Sequence, residues 1–313
     1  MENALPLANR SQMYKICGNT QNLRHRYLYK SRERISLHYQ ICFKITMKNL
    51  LLSTFLVATS IASAIALPIS TPSIASFSNT SASLPLEQPA TLHNHPEQIV
   101  VHTGYRLSFN RETLCPNWVA WELTANETEG SVQRSNDFRP DEMLPYRYQV
   151  TTDDYKHSGY DRGHMCPSAD MKWSSTAQSE CFFMSNICPQ THALNAGGWE
   201  KVERACRRWA KREEKVYIVC GPIFNDSRKQ LYIGKSVKIR VPNAFFKVVL
   251  SLKKGEEKAI GFYFTNRDGK QNMGDATKTV DEIEKMTGMD FFPQLNDALE
   301  RRVEAQNNLS LWH

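Results

Sequence analysis

The 313-residue sequence lacks the short motifs that mark several large enzyme classes. It has no Gly-x-Ser-x-Gly turn, no P-loop and no dinucleotide-binding glycine fingerprint. It has no Cys-x-x-Cys pair, which argues against structural zinc. No internal repeat is visible, and only one apolar stretch approaches membrane length, which excludes a multi-span membrane protein. Since 41% of the residues are hydrophobic and 23% are charged, the composition is that of a globular protein.

The net charge of +7 originates in the first part of the chain. Residues 1–48 carry nine Lys and Arg against Glu2 and Glu33, which leaves 30 basic and 30 acidic residues in the rest. The basic balance of the whole chain therefore does not by itself indicate a nucleic-acid partner.

Residues 47–66 have the pattern of a secretory signal peptide. Lys48 precedes an apolar run that reaches Ala66, and small residues lie at signal-peptidase spacing near its end. A membrane anchor is the alternative, since the run of about 17 residues is at the lower limit for a span. We expect a secreted or periplasmic protein without stable membrane association after cleavage. Residues 1–46 are expected to be a basic extension or an over-called start.

The residues that follow this leader suggest a linker and then one domain. Residues 67–100 are rich in Ser, Thr, Pro and Ala and hold no Lys or Arg, which predicts a flexible linker. Residues 101–313 are enough for one sizeable core. Six cysteines lie there, and an exported chain meets an oxidising compartment, so disulfides are expected with their pairing left open. These cysteines are Cys115, Cys166, Cys181, Cys188, Cys206 and Cys220.

Strand and helix patterns alternate irregularly, which favours an α+β fold. Apolar runs and alternation predict four strands, with a hairpin at Lys253–Glu256. The strands are Tyr217–Val219, Val237–Val241, Phe245–Leu250 and Ala259–Phe264. Apolar residues spaced by three and four predict a helix from Gly197 to about Arg212, and Gly288 is expected to end a second helix that contains Val280 and Ile283.

The densest polar cluster is Asp161-Arg162-Gly163-His164. A histidine can take a proton from water near neutral pH, and an arginine can hold phosphate oxygens through two parallel hydrogen bonds. A surface turn with an Asp–Arg ion pair and a structural histidine is an equally good interpretation of these four residues alone.

A second cluster contains Asn195, Trp199 and Glu203 on one face of the predicted helix. Asn195 could simply be the helix N-cap. An amide oxygen and a carboxylate two turns apart could instead address one hydrated cation, and Mg²⁺ prefers oxygen ligands while keeping most of its waters.

Together these clusters resemble the DNA/RNA non-specific endonucleases of the ββα-metal type, such as the Serratia nuclease and endonuclease G. The matching stretches are Asp161–His164, Ser185-Asn186-Ile187 with Pro189-Gln190, and Leu194-Asn195 with Gly197, Trp199 and Glu203. The resemblance covers some 190 residues, from about Tyr105 to Phe291-Phe292-Pro293. It implies a ββα-metal nuclease fold with a mixed or antiparallel sheet core and flanking helices. The chain has Ala196 where many relatives have Gln.

The resemblance also implies roles for individual residues. His164 is similar to the general base, Asn195 to the single direct metal ligand, and Glu203 to the residue that holds metal-bound waters. Arg162 would contact phosphate, and Asn186 would support the site from behind. A further arginine lies on a poorly matched upstream segment, where Arg134 is the choice and Arg139 the alternative. His164 and Asn195 would flank one hydrated ion in a pocket open to polymer.

The expected activity is Mg²⁺-dependent, sequence-non-specific hydrolysis of DNA, RNA or both to 5′-phosphate products, with Mn²⁺ as a substitute metal. Contacts to DNA and RNA would be mainly to phosphate, and a homodimer is compatible with the resemblance. Two alternatives stay open: an inactive nucleic-acid-binding relative, and a metal-dependent phosphodiesterase acting on small phosphoesters.

Two further features bear on this interpretation. His192 is polar and close to Asn195, which makes it a rival general base. Residues 201–247 hold 13 Lys and Arg against four acids, and five of these basic residues, all within 204–212, cluster on the helix after Asn195. This gives modest support for phosphate binding, although a solvated helix face would have the same composition.

Overall fold

The computed structural model describes residues 84–313. The expectations for residues 1–46, for the signal peptide at 47–66 and for linker residues 67–83 fall outside this part. Within residues 84–313, none of the helices combines the length and the apolar character that a bilayer crossing requires.

A seven-stranded sheet with the order β1-β2-β3-β6-β9-β10-β11 forms the centre, and every neighbouring pair in it is antiparallel. Two two-stranded sheets, β4-β5 and β7-β8, accompany it. The strands are β1 Gln98–Val101, β2 Arg106–Asn110, β3 Cys115–Thr124, β4 Asp161–His164, β5 Ile187–Gln190, β6 Lys215–Ile223, β7 Tyr232–Ile233, β8 Ile239–Arg240, β9 Ala244–Ser251, β10 Lys258–Thr265 and β11 Thr277–Lys278.

Helices and tight turns connect these strands. The α-helices are α1 Thr152–Tyr155, α2 Ser175–Glu180, α3 Glu200–Glu213, α4 Val280–Thr287 and α5 Asp297–Glu304, and a π-helical turn, Leu194–Trp199, leads into α3. Short 3₁₀ turns lie at Asn126–Glu129, Tyr146–Tyr148, Ser168–Asp170, Met184–Asn186, Gly274–Ala276 and Leu309–Trp312. Helix α4 starts with a Thr279/Glu282 capping box and ends at Gly288, which has φ +69°.

The central sheet carries a separate apolar core on each face. In β9, Phe245 and Val249 belong to the first core, whereas Phe246 and Val248 belong to the second. This follows from strand geometry, because successive side chains point to opposite faces. The first core takes in the apolar stripe of α3, and the second takes in Val280 and Ile283 of α4 with Val303 of α5. Helix α3 therefore lies on one face of the sheet, and α4 and α5 lie on the other.

The α+β class is confirmed, and three of the four predicted strands lie within strands of the structure. Predicted strands Tyr217–Val219, Phe245–Leu250 and Ala259–Phe264 fall inside β6, β9 and β10. The run Val237–Val241 is strand only at Ile239–Arg240, because β8 pairs with just the two residues of β7.

The predicted linker is wrong for its C-terminal half. Within residues 84–100, Glu87 accepts a hydrogen bond from Arg106 at 3.1 Å, and Leu86 and Leu92 pack against the second core. Strand β1 begins at Gln98 and pairs along β2. The folded unit therefore includes these residues.

The expected disulfides are also wrong for the described residues. All six cysteines of residues 84–313 are free and buried. Their thiols serve as small apolar core groups, and three donate weak hydrogen bonds to backbone carbonyls: Cys181 to Gln178 at 3.1 Å, Cys220 to Met165 at 3.3 Å and Cys115 to Arg240 at 3.7 Å.

Candidate functional site

The first polar cluster of the sequence forms one strand of a small antiparallel sheet. Strand β4 pairs with β5 so that Asp161 lies opposite Gln190 and His164 opposite Ile187. Gly163 sits between them, and a Cβ atom there would lie only 2.1 Å from Gln190 Oε1. Glycine at 163 therefore allows the close approach that sets the direction of β4 and of His164.

Asn186 fixes the chain just beyond β4. Its Oδ1 accepts from the backbone N–H of Cys166 at 2.9 Å, and its Nδ2 donates to the carbonyls of Cys166 and Cys181 at 2.9 and 2.8 Å. The indole N–H of Trp199 donates to the His164 carbonyl at 3.1 Å. The His164 carbonyl and the backbone just after it are thus held by buried hydrogen bonds.

Asn195 lies inside the π-helical turn and not at a helix N-cap. The turn contains a residue with non-helical angles, Gly197 at φ −118° and ψ −108°. The widened turn inserts an extra residue ahead of α3, a device often found at functional sites. Asn195 Nδ2 donates to Asp161 Oδ2 at 3.0 Å, and the same oxygen lies 2.8 Å from His192 Nδ1. Asp161 therefore joins the two sequence clusters.

A cleft of about 590 Å³ opens beside this junction and collects several of the predicted residues. Arg134, Arg162 and Asn195 all line it. The remaining lining residues are Asn136, Phe138, Thr152, Asp153, Tyr155, Lys156, Tyr160 and Asp161. The cleft thus presents cationic and oxygen-bearing side chains together, a combination suited to a phosphate and a hard cation.

His164 is buried at the back of this arrangement, with 8% of its surface exposed. Its ring contacts Phe182 edge-on at 4.9 Å and Phe138 at 5.3 Å between centroids, and its Nε2 has no hydrogen-bond partner. Burial, followed by the charges of Arg134 and Arg162, lowers the pKa of His164 to about 3. The expectation of an open pocket at both His164 and Asn195 is therefore met only at Asn195, because Phe138 and Phe182 enclose the imidazole.

The structure distinguishes the two upstream arginines. Arg134 lies over the Phe182 ring at 4.8 Å and lines the cleft. Arg139 instead stacks on Phe183 at 4.1 Å and donates to Asp137 Oδ2 at 2.7 Å. Arg162 stacks on Phe138 at 4.2 Å, so two aromatic rings hold two guanidinium groups near His164.

Glu203 is partly buried and is not among the residues that line the cleft. Its environment is a buried charge cluster with Lys247, Asp170 and Arg207. Arg207 pairs with Asp170 at 2.7 Å. Burial raises the pKa of Glu203 to about 7, while the Lys247 charge opposes that shift.

Lys247 lies beneath the π-helical turn and is fully buried within β9. Its Nζ is 4.4 Å from the centroid of the Trp199 ring and 5.0 Å from that of Trp121. Nearby acids and thiols raise its pKa against the effect of burial, so the ammonium group stays charged inside the core.

Three residues of this region escaped the sequence reasoning as parts of the site. Asp161 lies in the first cluster and could have been found as the partner of Asn195, since both are polar and motif-bound. Phe138 and Lys247 gave no such signal, because one is an isolated aromatic residue and the other interrupts an apolar strand.

The donor set on the cleft fits a hard divalent cation. The amide of Asn195 directs its Nδ2 toward Asp161. Its Oδ1 lies on the other side and makes no hydrogen bond within residues 84–313. The amide oxygen and the Asp161 carboxylate are ligands of the kind that Mg²⁺ prefers. Asn195 and Asp161 could thus hold such an ion directly or through water.

Comparison with known proteins adds an independent observation. Residues 83–298 match the sequence model of the DNA/RNA non-specific endonuclease family. The mitochondrial nuclease EXOG of Xenopus laevis is 34% identical over 209 residues, which are 62% of this chain and 58% of that protein. A nuclease of Nostoc is 33% identical over 221 residues, covering 66% of this chain and 78% of that protein.

A solved structure agrees with these sequence matches. The EndoG/EndoGI complex contains a chain with a TM-score of 0.59 and 28% identity, covering 64% of this chain and 87% of that one. This neighbour has the ββα-metal nuclease fold that the resemblance implied, and the central sheet of this chain is antiparallel. The match to the Xenopus EXOG protein spans less than two thirds of that relative's length.

The comparisons correct the predicted location. The expectation of a secreted or periplasmic protein is wrong, because the relatives include mitochondrial nucleases from Xenopus laevis, Mus musculus and Saccharomyces cerevisiae. The same finding removes support for a signal peptide and for an oxidising compartment. It agrees with the free cysteines of residues 84–313.

Proposed function

The chain belongs to the DNA/RNA non-specific endonuclease family, and from this premise we propose that it hydrolyses phosphodiester bonds of DNA and RNA without sequence preference. The observation that carries the proposal is the convergence of Arg134, Arg162 and Asn195 on one cleft in front of the unpartnered His164 imidazole. This reaction requires groups that neutralise the phosphate charge, a cation and a proton acceptor.

His164 is proposed as the general base that takes a proton from the attacking water. The imidazole of the free protein is neutral at physiological pH, because its pKa is lowered to about 3. A bound phosphodiester would offset the charges of Arg134 and Arg162, and these charges contribute to that depression. Substrate binding would therefore raise the pKa of His164 and make it a stronger base in the complex than in the free protein.

The two cleft arginines are proposed to bind the scissile phosphate. Their guanidinium groups are preorganised on Phe138 and Phe182, so little side-chain freedom is lost when they bind an anion. Arg162 would stabilise the charge that develops on the phosphoryl oxygens as the bond breaks.

Asn195 is proposed as the direct ligand of one Mg²⁺ ion, with Glu203 holding its waters and Mn²⁺ able to replace it. When bound, such an ion supplies charge neutralisation at the phosphate and a source of protons for the leaving oxygen. The hydrogen bond from Asn195 Nδ2 to Asp161 orients the amide so that its oxygen is available. Asn186 would maintain the position of His164 from behind.

The proposed substrates follow from the chemistry of the cleft. Its cationic groups address phosphate and not base edges, so binding should be tolerant of sequence and of sugar type. Products with 5′-phosphates agree with attack in which the 3′ oxygen leaves. Homodimer formation is a further proposal, which equilibrium sedimentation of the full chain tests.

The decisive test is an assay of the full chain on plasmid DNA and on RNA, with Mg²⁺ or with EDTA. His164→Ala should lower turnover by about three orders of magnitude or more while leaving DNA binding intact. Asn195→Ala should behave similarly and lose its response to Mg²⁺. Arg139→Lys, outside the cleft, is the matched control and should retain activity.

The alternatives predict different outcomes. DNA binding without hydrolysis by the wild-type chain would make it an inactive relative. Hydrolysis of a small phosphodiester without hydrolysis of DNA or RNA would favour a small-molecule phosphodiesterase. Activity unchanged by EDTA would refute the metal assignment.

We further propose a mitochondrial location for this chain, in line with its relatives. Residues 1–48 combine nine Lys and Arg with only two acids, which is the charge pattern of a mitochondrial transit segment. A fusion of these residues to a fluorescent protein should accumulate in mitochondria, and uniform cytosolic fluorescence would contradict the proposal.

A further inference from the structure

Three carboxylates come together on the sheet face opposite α3. Asp281 and Glu284 lie one helical turn apart on α4, and Glu304 is the last residue of α5. One carboxylate oxygen from each lies within 4.8 Å of the other two. The sequence gave no indication of this group, because the third member is 20 residues away from the nearer of the other two.

Glu304 provides a second observation that points to a ligand. Only 5% of its surface is exposed, and its Oε1 has no hydrogen-bond partner. Within residues 84–313, no Lys, Arg or His forms an ion pair with Asp281, Glu284 or Glu304. A buried carboxylate without a counter-charge is unfavourable and must be neutralised by a proton or by a cation.

Burial and nearby acidic residues make an unneutralised carboxylate at Glu304 still less favourable. Burial, with the charges of Glu284 and Glu300 next in order, raises the pKa of Glu304 to about 9. Burial also raises the pKa of Glu284 to about 7, although the backbone N–H of Phe291 donates to Glu284 at 2.8 Å. Asp290 adds a further negative charge to both groups.

Carboxylate oxygens that come together in this way suit a hard divalent cation. Ca²⁺ takes about six to eight oxygen ligands in flexible geometry and can complete its shell with water, whereas Mg²⁺ requires a near-ideal octahedron. A cluster of three carboxylates from two helices is therefore better suited to Ca²⁺. Asp281 is exposed, which leaves a path from solvent and room for bound water.

We propose that Asp281, Glu284 and Glu304 form a binding site for one Ca²⁺-sized divalent cation, separate from the candidate active site. The helices that carry the site pack on the second core, whereas the π-helical turn and α3 pack on the first. The ion would link α4 to α5 and stabilise that face of the sheet. The inference does not depend on the proposed nuclease activity.

Calcium binding to the metal-stripped full chain tests the proposal. Isothermal titration calorimetry should show one Ca²⁺ fewer, or binding weakened about tenfold or more, in Asp281→Asn compared with the wild type. The melting temperature of the wild type should rise with Ca²⁺, and this rise should be largely lost in the variant. Asp268→Asn changes an exposed acid elsewhere and should match the wild type.

A second variant addresses the buried member. Glu304→Gln removes the unpaired charge, so it should fold with a stability less dependent on pH and without the Ca²⁺ response. Equal numbers of bound Ca²⁺ with equal affinities in wild type and Asp281→Asn would overturn the proposal. So would stabilisation by mild acid that Ca²⁺ does not reproduce, because the cluster would then hold protons only.

Discussion

His164 has a low pKa for two separate reasons, and substrate affects only one of them. The first and larger cause is burial against Phe138 and Phe182, and the second is the charge of the two nearby arginines. A phosphate would neutralise the arginines without exposing the ring. The imidazole thus stays neutral and shielded from solvent in the free protein. Its pKa would rise once a phosphate is bound beside the two arginines.

The same burial predicts how stability depends on pH. The folded pKa of about 3 lies below the ordinary value of 6.5, so the unfolded chain takes up this proton first as the pH falls. The contribution of His164 is therefore fully present above about pH 6.5 and is lost toward pH 3, by up to ~1.4 kcal/mol per pH unit.

Urea unfolding of the wild type and of His164→Gln between pH 7 and pH 4 measures this contribution. Because the glutamine stays neutral, the unfolding free energy of the wild type minus that of the variant should decrease as the pH falls. A difference that is constant with pH would mean that His164 is open to solvent in the folded state.

Among the elements, those with strong local patterns were predictable and those made by distant pairing were not. Strands β9 and β10 are apolar runs joined by a short polar turn, which is a local signal. Strands β4 and β5 have only four residues each and acquire their structure by pairing with each other across more than 20 residues. Their polar motifs were recognisable, but their register was not.

In the candidate site, too, features with a local sequence signal were predictable and features made by distant contacts were not. Arg162, His164 and Asn195 could be named from motifs, because the residue types themselves indicate phosphate and metal chemistry. The enclosure of His164 depends on Phe138, which comes from a segment without regular structure. The position of Glu203 relative to Asn195 depends on the π-helical turn, which alters the helical spacing between the two residues. A uniform 3.6-residue period cannot reveal such a turn.

Lys247 lies between the central sheet and the helix that carries Glu203. Its replacement should therefore change both the stability of the protein and the pKa of Glu203. Lys247→Met keeps the packing against Trp121 and Trp199 but removes the charge that offsets Glu203 and Asp170. We expect a loss of about 2 kcal/mol, below the usual cost of an unpaired buried charge, because Asp170 keeps Arg207 and Glu203 can take up a proton.

Two measurements test this expectation. Chemical denaturation should show the loss of stability, and titration of Glu203 by NMR should show its pKa moving further upward, since Lys247 lowers it in the wild type. Lys253→Met is the control, because this half-buried hairpin residue forms an ion pair only with Glu256 and should change stability by less than about 0.5 kcal/mol. Equal effects of the two substitutions would refute the role given to Lys247.

At the scale of the whole molecule, the charge of α3 is less available than its sequence suggests. Four of the five basic residues at 204–212 form ion pairs, with Glu200, Asp170, Glu129 and Glu213 as partners. Arg208 has no ion pair within residues 84–313. The cleft, by contrast, places Arg134, Lys156 and Arg162 together. Phosphate binding should therefore depend on the cleft more than on the helix.

This difference predicts a modest salt dependence of DNA binding. Three cleft cations give a slope of log K against log salt of about −2 to −3, since each phosphate contact contributes roughly 0.7 to 0.9. Binding is measured by fluorescence anisotropy with His164→Ala in EDTA, so that the DNA stays intact. Arg134→Ala should reduce the slope by about 1, and Arg208→Ala should leave it unchanged. Loss of any one phosphate contact makes the slope less steep. If Arg208→Ala changed the slope more than Arg134→Ala does, the nucleic acid would have to lie on α3.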